Sequence, residues 1–287
     1  MAESMRIALI SYSADGFTLL REACVKAGHE PIAFAHARTL RQRYPTSKDS
    51  AESIAAIIRS LPPGSDLLLP GSIDGLADAL AGYHPDLILV YGFPWKLSRS
   101  ILRMAKLGAI NVHTSLLPKH RGPLPVHWAV RNGDPEIGVT IHWMDEDFDT
   151  GNILAQKGGI PIEEDLVTAR LWRDIDAAIG DLLGPALERA TTGATGEPQN
   201  EAEATYAGWM EPDFMFVDWT SDARSIHNQV RTFRFNLFGL RGPFARLNHE
   251  WMTVLRTRTE PADGLRMDCA DGPIWITEAI PAAPPHR

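Results

Sequence analysis

Short apolar segments alternate with amphipathic segments through the first part of the chain. RIALISYS, EPIAFAHA, DLLLP and PDLILVYG are typical of strands, and each is followed by a segment with apolar residues at helical spacing. AINVH, GVTIHWM and ILAQKGGIPI predict three further strands. Because strands that alternate with helices form βαβ units, the sequence predicts an α/β fold with a doubly wound, mostly parallel sheet.

The second half of the chain changes character. VTARLWRDIDAAIGDLLGPALERATTG predicts a long helix with a kink or break near Gly184-Pro185, and the polar stretch ATGEPQNEAEATYAGWMEPD that follows is typical of a linker. Beyond it, short alternating strands are separated by Asp-Gly turns, and PAAPPHR is typical of a disordered tail. We therefore expect two domains, residues 1-205 with a Rossmann-like sheet and residues 206-287 with a small, mainly-β, OB-like fold.

The apolar runs, the cysteines and the net charge of the chain limit its expected location and the kinds of partner it binds. No apolar run reaches the roughly 20 residues of a membrane span, and the N-terminal MAESMRIALISYS lacks the pattern of a signal peptide. The two cysteines are far apart, as expected in a reducing cytosol, so we expect a cytoplasmic protein. A formal net charge of −8 disfavours nucleic acid, whose phosphates usually require a basic face.

Polar residues lie at the carboxyl ends of several predicted strands, which is where ligands bind in doubly wound sheets. Asn111 and His113 end AINVH, YGFPWKL follows another strand, and Asp149 lies in a run of carboxylates after GVTIHWM. The carboxyl ends of parallel strands form a ligand-binding crevice. We therefore expect Asn111, His113 and Asp149 to converge there.

These three side chains suit acyl-type transfer. An amide can donate to a developing oxyanion, an imidazole can move a proton near neutral pH, and a carboxylate can tune the imidazole. Neither a serine-elbow motif nor a zinc-ligand motif occurs in the sequence, so we expect direct transfer without a covalent intermediate and without a metal. Individually, an asparagine at a strand end can also be a simple cap, and a histidine can be structural.

The order of the motifs removes much of this ambiguity. Asn-x-His, Ser-Leu-Leu-Pro, Arg-Gly, Gly-Val-Thr and Asp-x-Gly follow one another in NVHTSLLPKHRGPLPVHWAVRNGDPEIGVTIHWMDEDFDTG. This arrangement closely resembles the formyltransferase family that uses 10-formyltetrahydrofolate. VDWTSDARSIHNQVRTF resembles the start of the C-terminal domain of its tRNA and sugar enzymes.

The resemblance implies specific roles. Asn111 is expected to hold the formyl oxygen, His113 to act as general acid and base, and Asp149 to tune His113. The folate is expected to lie against three short segments of the chain. These comprise Phe93, Pro94, Trp95 and Leu97, then Ser115, Leu116, Leu117 and Pro118, and finally Asp145, Glu146 and Asp147. Trp95 could also simply cover the end of the sheet.

The acceptor is expected to be a small-molecule amine. The loop SYSADGF has a single glycine, unlike the phosphate loop of the ribonucleotide enzymes, and FAHARTLRQRYPTSKDS lacks the basic loop pattern of the tRNA enzymes. We interpret its basic residues as a solvated helix face. LLPKHRGPLPVHW is closer to the sugar-type pattern, which favours a nucleotide-linked amino sugar or an amino-acid-derived metabolite.

Several alternatives remain open at the level of sequence. Methionyl-tRNA formylation is favoured by the two-domain layout, and the same three residues could serve a formyltetrahydrofolate hydrolase or remain in a non-catalytic folate-binding protein. The C-terminal domain could bind tRNA, form a homodimer contact or support the fold.

Overall fold

The computed structural model describes residues 4–283. Contacts divide the chain into two units. Unit 1 comprises the chain up to Gly122 with Gly138–Gly158 and Asp174–Tyr206, and unit 2 comprises Pro123–Ile137, Gly159–Arg173 and the chain from Ala207 onward. The catalytic and C-terminal domains expected on either side of residue 206 remain a proposal.

Unit 1 is built on a seven-stranded sheet. Its strands are β1 (Arg6–Ser11), β2 (Glu30–Ala35), β3 (Leu67–Leu68), β4 (Leu87–Tyr91), β5 (Ala109–His113), β6 (Glu136–Trp143) and β7 (Ile153–Pro161). The spatial order is β3-β2-β1-β4-β5-β6-β7. β1 is parallel to β2 and β4, and β4 is parallel to β5, whereas β6 is antiparallel to β5. The predicted doubly wound, mostly parallel sheet is therefore confirmed.

The helices are those expected of crossover connections and of the C-terminal region. They are α1 (Ala14–Lys26), α2 (Lys48–Ser60), α3 (Ile73–Ala81), α4 (Arg99–Leu102), α5 (Pro125–Asn132), α6 (Thr168–Thr191) and α7 (Ala223–Thr232). Serine side chains cap α1, α2 and α3, each accepting a backbone N–H three residues later. Every residue of β4 is buried, so its sequence is continuously apolar and does not alternate between apolar and polar residues.

The long helix does not break near Gly184-Pro185, where the sequence predicts a kink or a break. α6 continues through Pro185 without interruption. A proline removes one helical hydrogen bond, but Leu183, Ala186 and Leu187 around it are fully buried. Packing of this apolar face therefore holds the helix together where local propensity would interrupt it.

The segment interpreted as a linker, residues 194–213, belongs to unit 1 up to Tyr206, where its backbone pairs with other parts of that unit. Glu197 and Ile153 exchange two backbone hydrogen bonds of 2.9 and 2.8 Å, and Thr205 accepts a 2.9 Å bond from the Arg121 backbone N–H. The basic run after β2 also differs from the predicted helix face, because residues 38–43 form turns. Polar composition alone does not distinguish a linker from a segment whose backbone pairs with distant strands.

Unit 2 contains the second sheet. The strands β8 (Phe244–Leu247), β9 (Glu250–Arg258), β10 (Leu265–Asp268) and β11 (Pro273–Pro281) are antiparallel in the order β10-β11-β9-β8. Val230 of α7 packs with Ala245, Val254 and Ile276 of this sheet. The predicted mainly-β C-terminal region is thus confirmed as an antiparallel sheet covered by a helix.

The predicted C-terminal tail is in part a strand. β11 includes Pro281, the first residue of the predicted tail PAAPPHR, whereas residues 284–287 of that tail lie outside the described part of the chain. Within residues 4–283, the helices are all too short or too polar to cross a membrane.

Candidate active site

Asn111 and His113 lie at the carboxyl end of β5, on the same face because they are two residues apart. Antiparallel pairing with β6 places His142 directly opposite Asn111 and Thr140 opposite His113. His113 is 5% exposed and His142 is 1% exposed. The sheet therefore brings two buried imidazoles and an amide into one layer at its edge.

The loop after β6 brings Asp149 to these side chains. Its carboxylate Oδ2 lies 3.6 Å from His113 Nδ1, and Oδ1 lies 3.5 Å from His142 Nε2. The Asn111 amide Nδ2 lies 3.3 Å from Oδ1, and the Gly122 backbone N–H donates to Oδ2 at 2.8 Å. Asn111, His113 and Asp149, 38 residues apart at most, thus converge in the structure.

Hydrogen bonds determine where the His113 proton lies. His113 Nε2 is 2.8 Å from the backbone carbonyl of His120. A carbonyl oxygen only accepts, so Nε2 carries a proton and donates to it. Nδ1 is therefore the nitrogen that gains or loses a proton, and it is the nitrogen that faces Asp149.

Burial and charge act in opposite directions on this pair. Burial lowers the pKa of His113, and the nearby Asp149 charge opposes that shift without cancelling it. Burial alone would raise the pKa of Asp149, but His113, His142 and the Gly122 N–H together lower it well below its ordinary value. Because His113 is neutral near pH 7, the bonds from the Gly122 N–H and the Asn111 amide stabilise the carboxylate without requiring a charged histidine.

Hydrogen bonds hold the Ser-Leu-Leu-Pro segment against β6 and β7. The Thr140 hydroxyl donates to the Ser115 carbonyl at 2.7 Å and accepts from the Leu117 N–H at 3.1 Å. Leu116 lies over Gly138, where an added Cβ would approach its Cδ2 to 2.5 Å. The Gly-Val-Thr motif therefore supplies both space and a hydrogen bond for this loop, and Pro118, which ends it, is buried.

The other two predicted folate segments lie beside each other. Lys96 pairs with Asp147 at 3.7 Å, and Arg99 forms an ion pair with Glu146. Asp145 accepts from the Thr150 hydroxyl at 2.6 Å, which closes its turn. These bonds join the loop after β4 to the loop after β6.

Aromatic and apolar residues line the first of these loops. Phe93 and the buried Leu97 pack on the core of the sheet, and Pro94 between them is half-buried. Trp95 is buried, packs edge-on against Phe93 and donates from Nε1 to the Leu40 carbonyl at 3.1 Å. The Trp95 side chain thus holds this loop to the loop after β2, and its contact with folate stays a prediction.

Sequence reasoning missed two side chains of this site. His142 was one histidine among ten, and only strand pairing shows that it faces Asn111. Gln199 was assigned to the linker, yet its amide donates to the carbonyls of Asp149 and Gly151 at 2.8 Å each. Its spacing from Asp149 carries no local signal, since the contact spans 50 residues.

A second group of charged side chains lies in unit 2. The buried His227 lies 3.1 Å from Glu164, and Arg258 pairs with Asp165 at 2.6 Å. The buried Arg231 donates to the Glu163 carbonyl at 2.6 Å. This network binds α7 and β9 to the segment before α6, so we interpret it as structural.

The fold and the site together define a class of protein. An α/β sheet whose strand ends gather an amide, an imidazole and a carboxylate is suited to group transfer by acid–base chemistry. The Ser115 hydroxyl is committed to the Lys119 carbonyl at 2.6 Å and is not activated by a base. Among residues 4–283, no group of three or more His, Cys, Asp or Glu side chains is placed to hold a metal ion.

Comparison with known proteins identifies the family. The formyl transferase family model matches residues 72–176. The methionyl-tRNA formyltransferase of Citrifermentans bemidjiense is 34% identical over 223 residues, which are 73% of this chain and 67% of that protein. The chain therefore belongs to the formyltransferase family, and the resemblance seen in its motifs is confirmed.

Other relatives show how far the likeness extends. The methionyl-tRNA formyltransferase of a Synechococcus species is 39% identical over 166 residues, 57% of this chain and 51% of that protein. The chain thus spans about half to two thirds of the length of these relatives. The Helicobacter canadensis N-formyltransferase, solved with folinic acid and dTDP-3-aminofucose, has a TM-score of 0.65 at 17% identity, covering 95% of this chain and 98% of that chain. That likeness shows a shared fold.

Proposed function

We propose that this protein is an N-formyltransferase that moves a formyl group from 10-formyltetrahydrofolate to the primary amine of a small acceptor. A nucleotide-linked amino sugar is the leading acceptor, and an amino-acid-derived metabolite is the other small-molecule class. The observation that carries the proposal is the convergence of Asn111, His113 and Asp149 at the carboxyl edge of the sheet.

The segments predicted to hold the folate suit a pterin. A pterin ring has apolar faces and an edge of N–H donors. Phe93 and Met144 are half-buried apolar side chains packed on the core, and the Asp145 to Asp147 turn offers oxygen acceptors beside them. The bound folate supplies the formyl carbon as an electrophile, and these segments would hold its ring.

Asn111 is poised to exchange weak hydrogen bonds for a stronger one. Its Nδ2 lies 3.3 Å from both Asp149 Oδ1 and His142 Nε2, longer than the usual 2.9–3.0 Å of such bonds. A donor directed at a developing oxyanion makes a shorter, charge-assisted bond. The amide therefore gains most when negative charge appears on the formyl oxygen, which is differential stabilisation of the transition state.

His113 moves the proton of the attacking amine. Because burial lowers its pKa, His113 is in the neutral, proton-accepting form near pH 7. A proton taken up at Nδ1 is then stabilised by the Asp149 charge. The same proton can be returned to the departing nitrogen, so transfer requires no covalent enzyme intermediate.

The pairing of basic side chains supports a small acceptor. Two of the basic residues after β2 have acidic partners, since Arg43 pairs with Asp74 and Lys48 with Glu52, and Arg41 lies over the Tyr44 ring. The Arg121 guanidinium bonds to Gln199 and Glu201 and is not free to bind an acceptor phosphate. These pairings reduce the number of cations that remain for the phosphate contacts that tRNA requires, which favours a small acceptor.

A second candidate function is formylation of methionyl-tRNA. The support for it is sequence identity, because the relatives from Citrifermentans bemidjiense and Synechococcus are methionyl-tRNA formyltransferases. The first candidate is supported by local charge and the second by overall similarity, so the acceptor assay must offer both substrates.

The test is release of tetrahydrofolate from 10-formyltetrahydrofolate, read together with mass spectrometry of the acceptor. The protein is given the folate alone, then with methionyl-tRNA, then with nucleotide-linked amino sugars and free amines. Formylation of a small amine alone supports the first candidate, and formyl-methionyl-tRNA establishes the second. Release without an acceptor would show a hydrolase, and no release under any condition would overturn the proposed activity.

A further inference from the structure

The Gln199 side chain joins two loops of the candidate site. Its Nε2 donates to the carbonyls of Asp149 and Gly151, both at 2.8 Å. Its Oε1 accepts from Arg121 Nε at 3.0 Å and from Arg121 Nη2 at 2.7 Å. The loop that carries the carboxylate and the loop that carries Arg121 and Gly122 therefore meet at one amide.

The orientation of this amide is fixed by its partners. Carbonyl oxygens accept only and a guanidinium donates only, so turning the amide over would place oxygen against oxygen and nitrogen against nitrogen. Both amide hydrogens and the amide oxygen are thereby satisfied. The Arg121 guanidinium is itself held, because Glu201 accepts two bonds from it at 2.9 and 2.7 Å.

Asp149 requires such support. It has a φ of +55°, in the left-handed region that non-glycine residues seldom adopt. Its carboxylate must lie near His113 while its main chain follows this turn. The Gly122 N–H holds the carboxylate at 2.8 Å, and Gln199 holds the carbonyl of the same residue.

We propose that Gln199 is a positioning residue that sets the distance between the Asp149 carboxylate and His113 Nδ1. This inference rests on the proposed function for its effect on turnover, but its effect on His113 can be measured without turnover. Loss of the amide releases the turn from Asp149 to Gly151, the carboxylate moves away, and the charge that raises the pKa of His113 weakens.

The test compares Gln199→Leu with Gln229→Leu. Gln229 is a matched control because its Nε2 also donates to two carbonyls, those of Phe214 and Phe216 at 2.8 and 2.9 Å, and it lies in unit 2. The pKa of His113 is followed by NMR of its ring nitrogens, identified by their loss in His113→Ala. Turnover is followed with the acceptor found for the wild type.

In Gln199→Leu we expect a lower His113 pKa and a kcat reduced about 10²-fold, a loss that a misplacement of about 1 Å can cause. Gln229→Leu should leave the His113 pKa unchanged. An unchanged His113 pKa in Gln199→Leu would overturn the inference, even if kcat fell. An inactive wild type would refute the proposed function and leave the NMR comparison intact.

Gln199→Glu provides a second variant in case the leucine variant does not fold. The carboxylate keeps its bonds to Arg121 but presents oxygen to the two carbonyls that the amide held. We expect kcat to fall as in Gln199→Leu. Full kcat in Gln199→Glu would show that only the bond to Arg121 matters, and the assigned role of Gln199 toward Asp149 would be wrong.

Discussion

Gly151→Ala tests whether the position of the Asp149 turn limits catalysis. A Cβ on Gly151 would lie 1.8 Å from the Trp143 carbonyl oxygen, whereas real Cβ atoms essentially never approach closer than 3.0 Å. Something must therefore move by about 1.2 Å. The obstacle is main chain, so no side-chain rotation can relieve it.

The turn is more able to move than the strand. The Trp143 backbone N–H donates to the backbone carbonyl of Asn152 at 2.9 Å, and the Trp143 carbonyl oxygen lies 2.7 Å from His142 Nδ1. Pairing of Trp143 with Ile110 of β5 holds this residue in place, so we expect the clash to displace the turn that carries Asp149. A misplacement of about 1 Å at a reacting group costs about 10²-fold in rate, and we expect a similar loss of kcat.

The assay measures kcat with the identified acceptor and the free energy of unfolding in urea. We expect Gly151→Ala to lose about 1–3 kcal/mol of stability, as overpacked sites do, and to remain folded. Tetrahydrofolate binding should change less than kcat, because the predicted ring contacts do not include Gly151.

Gly184→Ala is the matched control. An added Cβ at this position in α6 meets nothing within 4 Å. The same substitution should leave kcat unchanged and stabilise the helix by about 0.5–1 kcal/mol. If folded Gly151→Ala kept a kcat within about threefold of wild type, the rate would not depend on the position of this turn as reasoned here.

Three further predictions concern His113, Asp149 and His227. His113→Ala should lower turnover by about 10²–10⁴-fold while tetrahydrofolate still binds, and loss of binding measured by calorimetry would contradict a purely chemical role. Asp149→Asn removes the charge that raises the pKa of His113, so the acidic limb of the kcat/KM profile should move to lower pH as the plateau falls. A shift of the acidic limb of the kcat/KM profile to higher pH would refute the pairing of Asp149 with His113. Burial lowers the pKa of His227 from 6.5 to about 4, so its neutral form stabilises the fold above pH 6.5, and this stabilisation is lost as the pH falls toward 4. Urea unfolding at both ends of this range should show a smaller loss in His227→Gln, and equal losses in the two proteins would be evidence against it.

Local pattern was enough to predict the strands that carry the site. β4 is a continuous apolar run followed by Gly92, β5 is a mostly apolar run that ends at His113, and both are central strands of the sheet. Since the carboxyl ends of parallel strands share one edge, the placement of Asn111 and His113 there follows from the sequence. Their catalytic roles come from family resemblance and remain predictions.

Local pattern failed where distant contacts override it. Pro185 signals a break, but packing of buried neighbours keeps α6 continuous. The stretch around Gln199 has the polar composition of a linker, yet its backbone pairs with Ile153 and its side chain reaches Asp149. Composition indicates whether a segment can be exposed to solvent. It does not indicate which distant residues form hydrogen bonds with that segment.

The sequence by itself determined the α/β class, the edge of the sheet that holds the site, and the family. These depend on hydrophobic periodicity and turn chemistry, which act over a few residues, and on motifs read in order along the chain. Only the tertiary structure decided that His142 faces Asn111, that Gly122 holds the carboxylate, and that Gln199 joins the two loops. Those contacts link residues 27 to 78 positions apart, and they form only once strand pairing has fixed the paths of the connecting loops.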